Sequence, residues 1–283
     1  MLIRYGYSIE IACDIPTPVI AMLDIHPTRW ADIERADTLS AIGRTTGQKV
    51  DVSDYQDGFG NICRRLIAPA GGVTLAAEGL VRDSGEPDAV APDGDQLAPE
   101  HLPDDVLVYL LGSRYCETDR LNQVAWSRFG HIQGGRARVQ AICDFVHGHL
   151  TFNYKLARPT RTASEAYDEQ LAVCRDFAHL AITLCRAMNI PARYCTGYLG
   201  DIGVPRDPNP MDFSAWFEVF LGDRWWTYDA RHNTRRIGRI VMARGRDATD
   251  VAILNSFGLH ALTRFDVITD EVPAEAVSRV AAA

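Results

Sequence analysis

The chain has 283 residues, 47% of them hydrophobic, with a formal net charge of -8 and a pI near 5.5. That apolar content supports a substantial core in one large domain or two. The acidic balance and the lack of any basic run exclude a protein built to neutralise phosphate backbones. No segment approaches the roughly 20 apolar residues of a membrane helix, and the start at Met1 has no basic region leading into an apolar stretch. A cytoplasmic protein is expected, with neither nucleic acid nor membrane as partner.

Residues 1 to 82 read as short alternating segments broken by turn residues, such as Tyr5 to Ala12, Gly71 to Ala77 and the turn between Tyr55 and Asn61. That pattern predicts a small β-sandwich-like domain. Between Asp83 and Asp105 the composition shifts to Pro, Asp, Glu and Gly, as in a linker or exposed connection. The division that follows is 1–95 for the N-terminal β domain and linker, and 96–283 for the core domain.

Helical periodicity then takes over at Val106 to Leu111, Thr118 to Phe129 and Arg136 to His149. The strongest helix starts near Cys174, with Phe177, Leu180, Ala181, Leu184, Cys185 and Met188 on one face. It stops before Pro191, which restricts the residue preceding it and cannot extend a helix. Strands follow at Ala192 to Leu199, Ser214 to Phe220 and Trp225 to Asp229, with two more in the tail, at Arg239 to Val251 and at Leu262 to Asp270. Helices packed on an antiparallel sheet make the fold class α+β.

The seven cysteines, at positions 13, 63, 116, 143, 174, 185 and 195, are odd in number and irregularly spaced. Neither a disulfide framework nor a structural zinc site is expected from them. His147 and His149 are the nearest thing to a metal pair, but no third ligand accompanies them. No cofactor or metal is expected. Cys174 differs from the other six because it opens a helix, where the macrodipole and unpaired N–H groups favour a thiolate and can hold an oxyanion.

If Gly222 and Asp223 form a two-residue turn, opposing residues on the flanking strands sum to 445. Ser214, Trp216 and Glu218 then share a face with Thr227 and Asp229, and Ser214 lies diagonally across from Asp229. Three blocks, Val173 to Ala178, Ser214 to Val219 and Trp226 to Asp229, give the chain its resemblance to the transglutaminase-like superfamily. This papain-related group includes bacterial members with an N-terminal β domain. The resemblance implies a papain-like core, Cys174 as nucleophile, Asp229 as the residue orienting the base, and the base itself at position 214. Two departures stand out: Ser214 where a histidine is expected, and Ala172 where glycine is usual.

A serine hydroxyl cannot take a proton from a thiol near neutral pH, so another imidazole would have to act. His232 is nearest to Asp229 in sequence, but strand parity points it away unless the chain turns or bulges after Asp229. His179 lies about 140° around the helix from Cys174, and His131, His147 and His149 depend on tertiary folding. Asp176, near the helix start, reads as a structural residue suited to the macrodipole. Trp216 falls on the site face as a cleft-lining residue.

Two functions stay open. One is a thiol acyl-transfer enzyme, a cysteine peptidase or amidase acting on a peptide or protein substrate. The other is a catalytically degenerate member that keeps its cleft as a binding module. Oligomeric state is not legible.

Overall fold

The computed structural model describes residues 1–36, 38–91 and 96–273. The N-terminal part supplies β1 (Leu2–Ala12), β2 (Thr17–Ala21), β3 (Ile33–Arg35), β4 (Ser40–Gly43), β5 (Val52–Gln56), β6 (Ile62–Ala68) and β7 (Val73–Arg82). After the connection come α1 (Thr118–Phe129), α2 (Gly135–His149), β8 (Thr151–Phe152), α3 (Ala163–Glu169), β9 (Leu171–Ala172) and α4 (Cys174–Ala187). Then follow β10 (Ala192–Leu199), β11 (Ser214–Leu221), β12 (Arg224–Tyr228), β13 (Arg239–Gly245), β14 (Leu254–Ser256) and β15 (Ala261–Glu271).

The core sheet runs β12-β11-β10-β13, antiparallel throughout. Its β11–β12 ladder pairs Phe220 with Trp225 and Glu218 with Thr227, the register expected from the Gly222 turn. Gly222 has φ +67°, a conformation a residue without Cβ adopts at little cost. On one face of this sheet lies α4, and every residue from Asp176 to Ala187 is buried. The predicted one-sided stripe understated this burial, because α1, α2 and α3 cover the flanks of α4 that the sheet leaves open. Each large side chain so enclosed, Leu180 and Leu184 among them, contributes about 1.5–3 kcal/mol of transfer free energy.

The other face of the core sheet meets the N-terminal strands. One N-terminal sheet has the order β15-β1-β7-β3, with β4 also on β7, and the second has the order β14-β2-β6-β5. Ile3, Tyr5, Ile9 and Ile11 of β1 share one apolar core with Tyr198, Ile240 and Met242 of the core sheet, and the rings of Tyr5 and Tyr198 meet edge to face at 5.3 Å. Of the two predicted tail strands, the first is β13, which joins the core sheet beside β10, and the second is β15, which pairs with β1, while the short β14 pairs with β2. The N-terminal layers therefore draw on both ends of the chain.

The connection after β7 is less exposed than its composition predicts. Ala91 is buried, and Asp88 is anchored through both backbone and side chain, its N–H donating to the Arg236 carbonyl at 2.8 Å. No helix among the described residues is long and apolar enough to cross a membrane.

Candidate active site

Cys174 is the first residue of α4, set there by local hydrogen bonding that does not involve the thiol. The buried Asp176 carboxylate accepts the Val173 N–H at 3.0 Å and pairs with the Arg161 guanidinium at 3.0 Å. Arg161 is itself held by Glu169 at 2.9 Å and by the Leu156 carbonyl at 2.9 Å. Asp176 is thus a structural residue that caps the helix start and fixes the backbone on which the sulfur sits.

The sulfur is half-buried and close to two elements. The backbone N–H groups of Ala215 and Arg175 and the Arg231 guanidinium favour its ionised form, and Asp212 opposes it. Burial outweighs the favourable groups and pushes the thiol up to about 11, against the help of Arg231 and both N–H groups. Burial of Cys174 thus works against the thiolate that the helix start favours.

Ser214, the first residue of β11, is buried opposite Gly197, and its carbonyl accepts the Thr196 hydroxyl at 3.2 Å. It lines a cavity of about 820 Å³ together with Tyr154, Asp212, Arg231, His232 and Arg236. Ser214 and His232 therefore open onto one space. Trp216 is 2% exposed, clustered with Cys195 and Val241 under the Arg239 guanidinium, and it is not among the residues lining that cavity.

The strand predicted to run through Asp229 ends at Tyr228. Asp229 instead begins a turn: its carbonyl accepts the Asn233 N–H at 2.8 Å, and Asn233 has φ +50°. Its side-chain Oδ1 accepts the N–H groups of Arg231 at 3.0 Å and His232 at 3.1 Å. This is the turn that parity alone could not supply, and it swings the His232 ring back, so that Nδ1 lies 2.8 Å from Asp229 Oδ2. With Nδ1–H donating to the carboxylate, Nε2 is left as an acceptor.

Asp229 Oδ2 also accepts from Arg239 at 2.8 Å. Burial opposes ionisation of this carboxyl, but Arg239 and the His232 contacts overcome it and hold Asp229 well below the usual carboxylate range. The far side of Arg239 pairs with Asp88 at 2.8 Å. Sequence reading missed Arg239 and Asp88, since one sits in an ordinary strand and the other in a polar connection. Tyr154 and Arg231 were missed as well. Tyr154 donates to Asp212 at 3.4 Å and stands over Phe152 at 4.9 Å, while Arg231 stacks on the same Phe152 ring at 4.1 Å.

Among the other candidate histidines, His131 is exposed, and three are engaged elsewhere. His179 is buried between the rings of Tyr115 and Tyr194, accepts the Ala248 N–H at 3.1 Å, and is pushed down to about 3 by desolvation. His147 contacts the Arg231 carbonyl at 2.9 Å, and His149 contacts the Tyr167 carbonyl at 2.8 Å.

Residues 128–230 match the transglutaminase-like superfamily. The chain carries a transglutaminase-like core. The crystal structure of "a Putative Cysteine Protease from Cytophaga hutchinsonii" superposes with a TM-score of 0.80 at 28% identity, covering 97% of this chain and 91% of that one. An uncharacterized protein of Mycobacterium leprae is 33% identical over 111 residues, 38% of this chain and 39% of the relative. An uncharacterized protein of Mycobacterium tuberculosis strain H37Rv is 28% identical over 251 residues, 80% of this chain and 78% of the relative. The fold is therefore that of the transglutaminase-like group, with N-terminal β layers included in the structural match.

Proposed function

We propose that this protein is a thiol acyl-transfer enzyme that hydrolyses peptide or amide bonds, with Cys174 as nucleophile and the His232–Asp229 pair standing in for the histidine absent from position 214. The reading rests on one observation above all, the 2.8 Å contact between His232 Nδ1 and the Asp229 carboxylate. An imidazole oriented by a buried carboxylate, on the same cavity as Ser214, is the part a thiol nucleophile needs. The Cytophaga hutchinsonii protein, described as "a Putative Cysteine Protease", supports the hydrolytic direction.

In this scheme the thiol loses its proton only as it reacts, in keeping with its raised pKa. His232 Nε2 takes the S–H proton while the sulfur forms a bond to the substrate carbonyl carbon. The resulting oxyanion is met by N–H groups at the start of α4. Collapse breaks the carbon–nitrogen bond, and the imidazolium gives its proton to the leaving amine. Water, deprotonated by the same imidazole, then attacks the thioester to release a carboxylic acid and regenerate the thiol. A peptide or protein substrate and a reducing, cytoplasmic setting for the seven free thiols belong to the same proposal.

The test is acyl-enzyme formation from a p-nitrophenyl ester at pH 7 in four proteins. The parent should release a stoichiometric burst, Cys174→Ser none, and His232→Ala one slower by about 10²–10⁴. A silent parent alongside a burst in Ser214→His would overturn the proposal and leave the degenerate, cleft-binding reading.

A further inference from the structure

We infer that Asp88 and Arg239 are positioning residues for the Asp229–His232 pair, forming a buried row of alternating charges that sets how strongly Asp229 draws on the imidazole. The inference builds on His232 as the base, but its primary readout is independent of catalysis.

The Arg239 guanidinium is 6% exposed and lies between two carboxylates, with Nε 2.8 Å from Asp88 Oδ2 and NH2 2.8 Å from Asp229 Oδ2. It also covers the Trp216 ring at 5.1 Å, which fixes its plane. Asp88 is held at four points: its N–H on the Arg236 carbonyl at 2.8 Å, its carbonyl on the Arg235 guanidinium at 3.4 Å, its Oδ2 on the Arg236 N–H at 3.0 Å, and the same oxygen on Arg239. Asp229 Oδ2 is shared between Arg239 and His232, so the cation competes with the imidazole for one oxygen. Asp88 offsets that cation from the opposite side.

Other charges face His232 and its cavity. Arg231 and Arg236 come from its own turn, Asp201, Arg206, Asp207 and Asp212 from the β10–β11 connection, and Asp270 from β15. None of them is replaced in the variants below, and Asp88→Asn keeps an acceptor for the Arg236 N–H that Asp88 holds.

The measurement is the pH at which the His232 ring Hε1 signal titrates by NMR, assigned by its loss in His232→Ala. Asp88→Asn keeps an acceptor oxygen for Arg239 and removes only charge, so the midpoint should fall by about half a pH unit or more. Arg239→Gln should raise it, and Arg239→Lys should return it toward the parent. A role in packing alone would lower stability without opposite-signed shifts. If Arg239→Gln does not fold, Asp88→Asn decides by itself, and an unmoved or raised midpoint overturns the inference. Opposite shifts accompanied by ester acylation indifferent to His232→Ala would keep the row and remove the proposed function.

Discussion

Replacing Asp176 by alanine tests whether the residue two places after the nucleophile is structural. Its carboxylate is fully buried and Arg161 is 4% exposed, so the mutation strands a guanidinium in the interior. Breaking a buried pair from one side costs about 3–5 kcal/mol. Arg161 keeps Glu169 and the Leu156 carbonyl as partners, which places the loss at the lower end, and the freed Val173 N–H is part of the same total. About 3 kcal/mol corresponds to a fall in Tm of roughly 6–12 °C for a chain of this size. Differential scanning calorimetry reads this directly. Substituting leucine at 176 and methionine at 161 together should recover most of the loss, since apolar replacement of a whole buried pair is close to neutral. A fall of less than about 2 °C in Asp176→Ala, combined with loss of the ester burst, would refute the structural reading and make Asp176 a functional group.

Three further outcomes follow from the site. Iodoacetamide labelling of Cys174 should rise with pH to a midpoint near 11, and a plateau already reached at pH 7 would show a preformed thiolate–imidazolium pair instead. The folded Asp229 carboxyl lies below its unfolded value, so it contributes stability that is fully present above about pH 3.9 and lost as pH falls toward the folded value. Urea midpoints of Asp229→Asn should accordingly depend less on pH between 2 and 5 than those of the parent. Gly197→Ala would set a Cβ 2.1 Å from the Ile240 carbonyl, at the point where the β10–β13 register shifts. Equilibrium unfolding should register a loss of about 1–3 kcal/mol, and a neutral result would mean that the two strands part freely there.

Much of the core was legible from local pattern. The helix from Cys174, the three strands after Pro191 and the pairing sum of 445 follow from periodicity, a proline and a glycine turn, each a short-range cause. Helix α3 carried a readable signal too, since Thr162 and Glu165 form a capping box. Assigning β14 and β15 to the N-terminal sheets and β13 to the core sheet was not legible, because such alternation fits any open sheet edge.

The candidate site divides along the same line. Sequence alone determined that a thiol opens a buried helix, that a carboxylate ends the facing hairpin, and that serine occupies the position where the resemblance places a base. Only the tertiary structure decided that Asp229 leaves its strand and turns His232 back onto itself, and that desolvation works against the helix dipole at Cys174. It also decided that Asp88, 151 residues before Arg239, closes the charge row behind the pair. Hydrogen bonds in the turn after Asp229 are local but compete with simple continuation of the strand, and burial is a property of everything packed around a group. Neither is written in the spacing of the residues that depend on it.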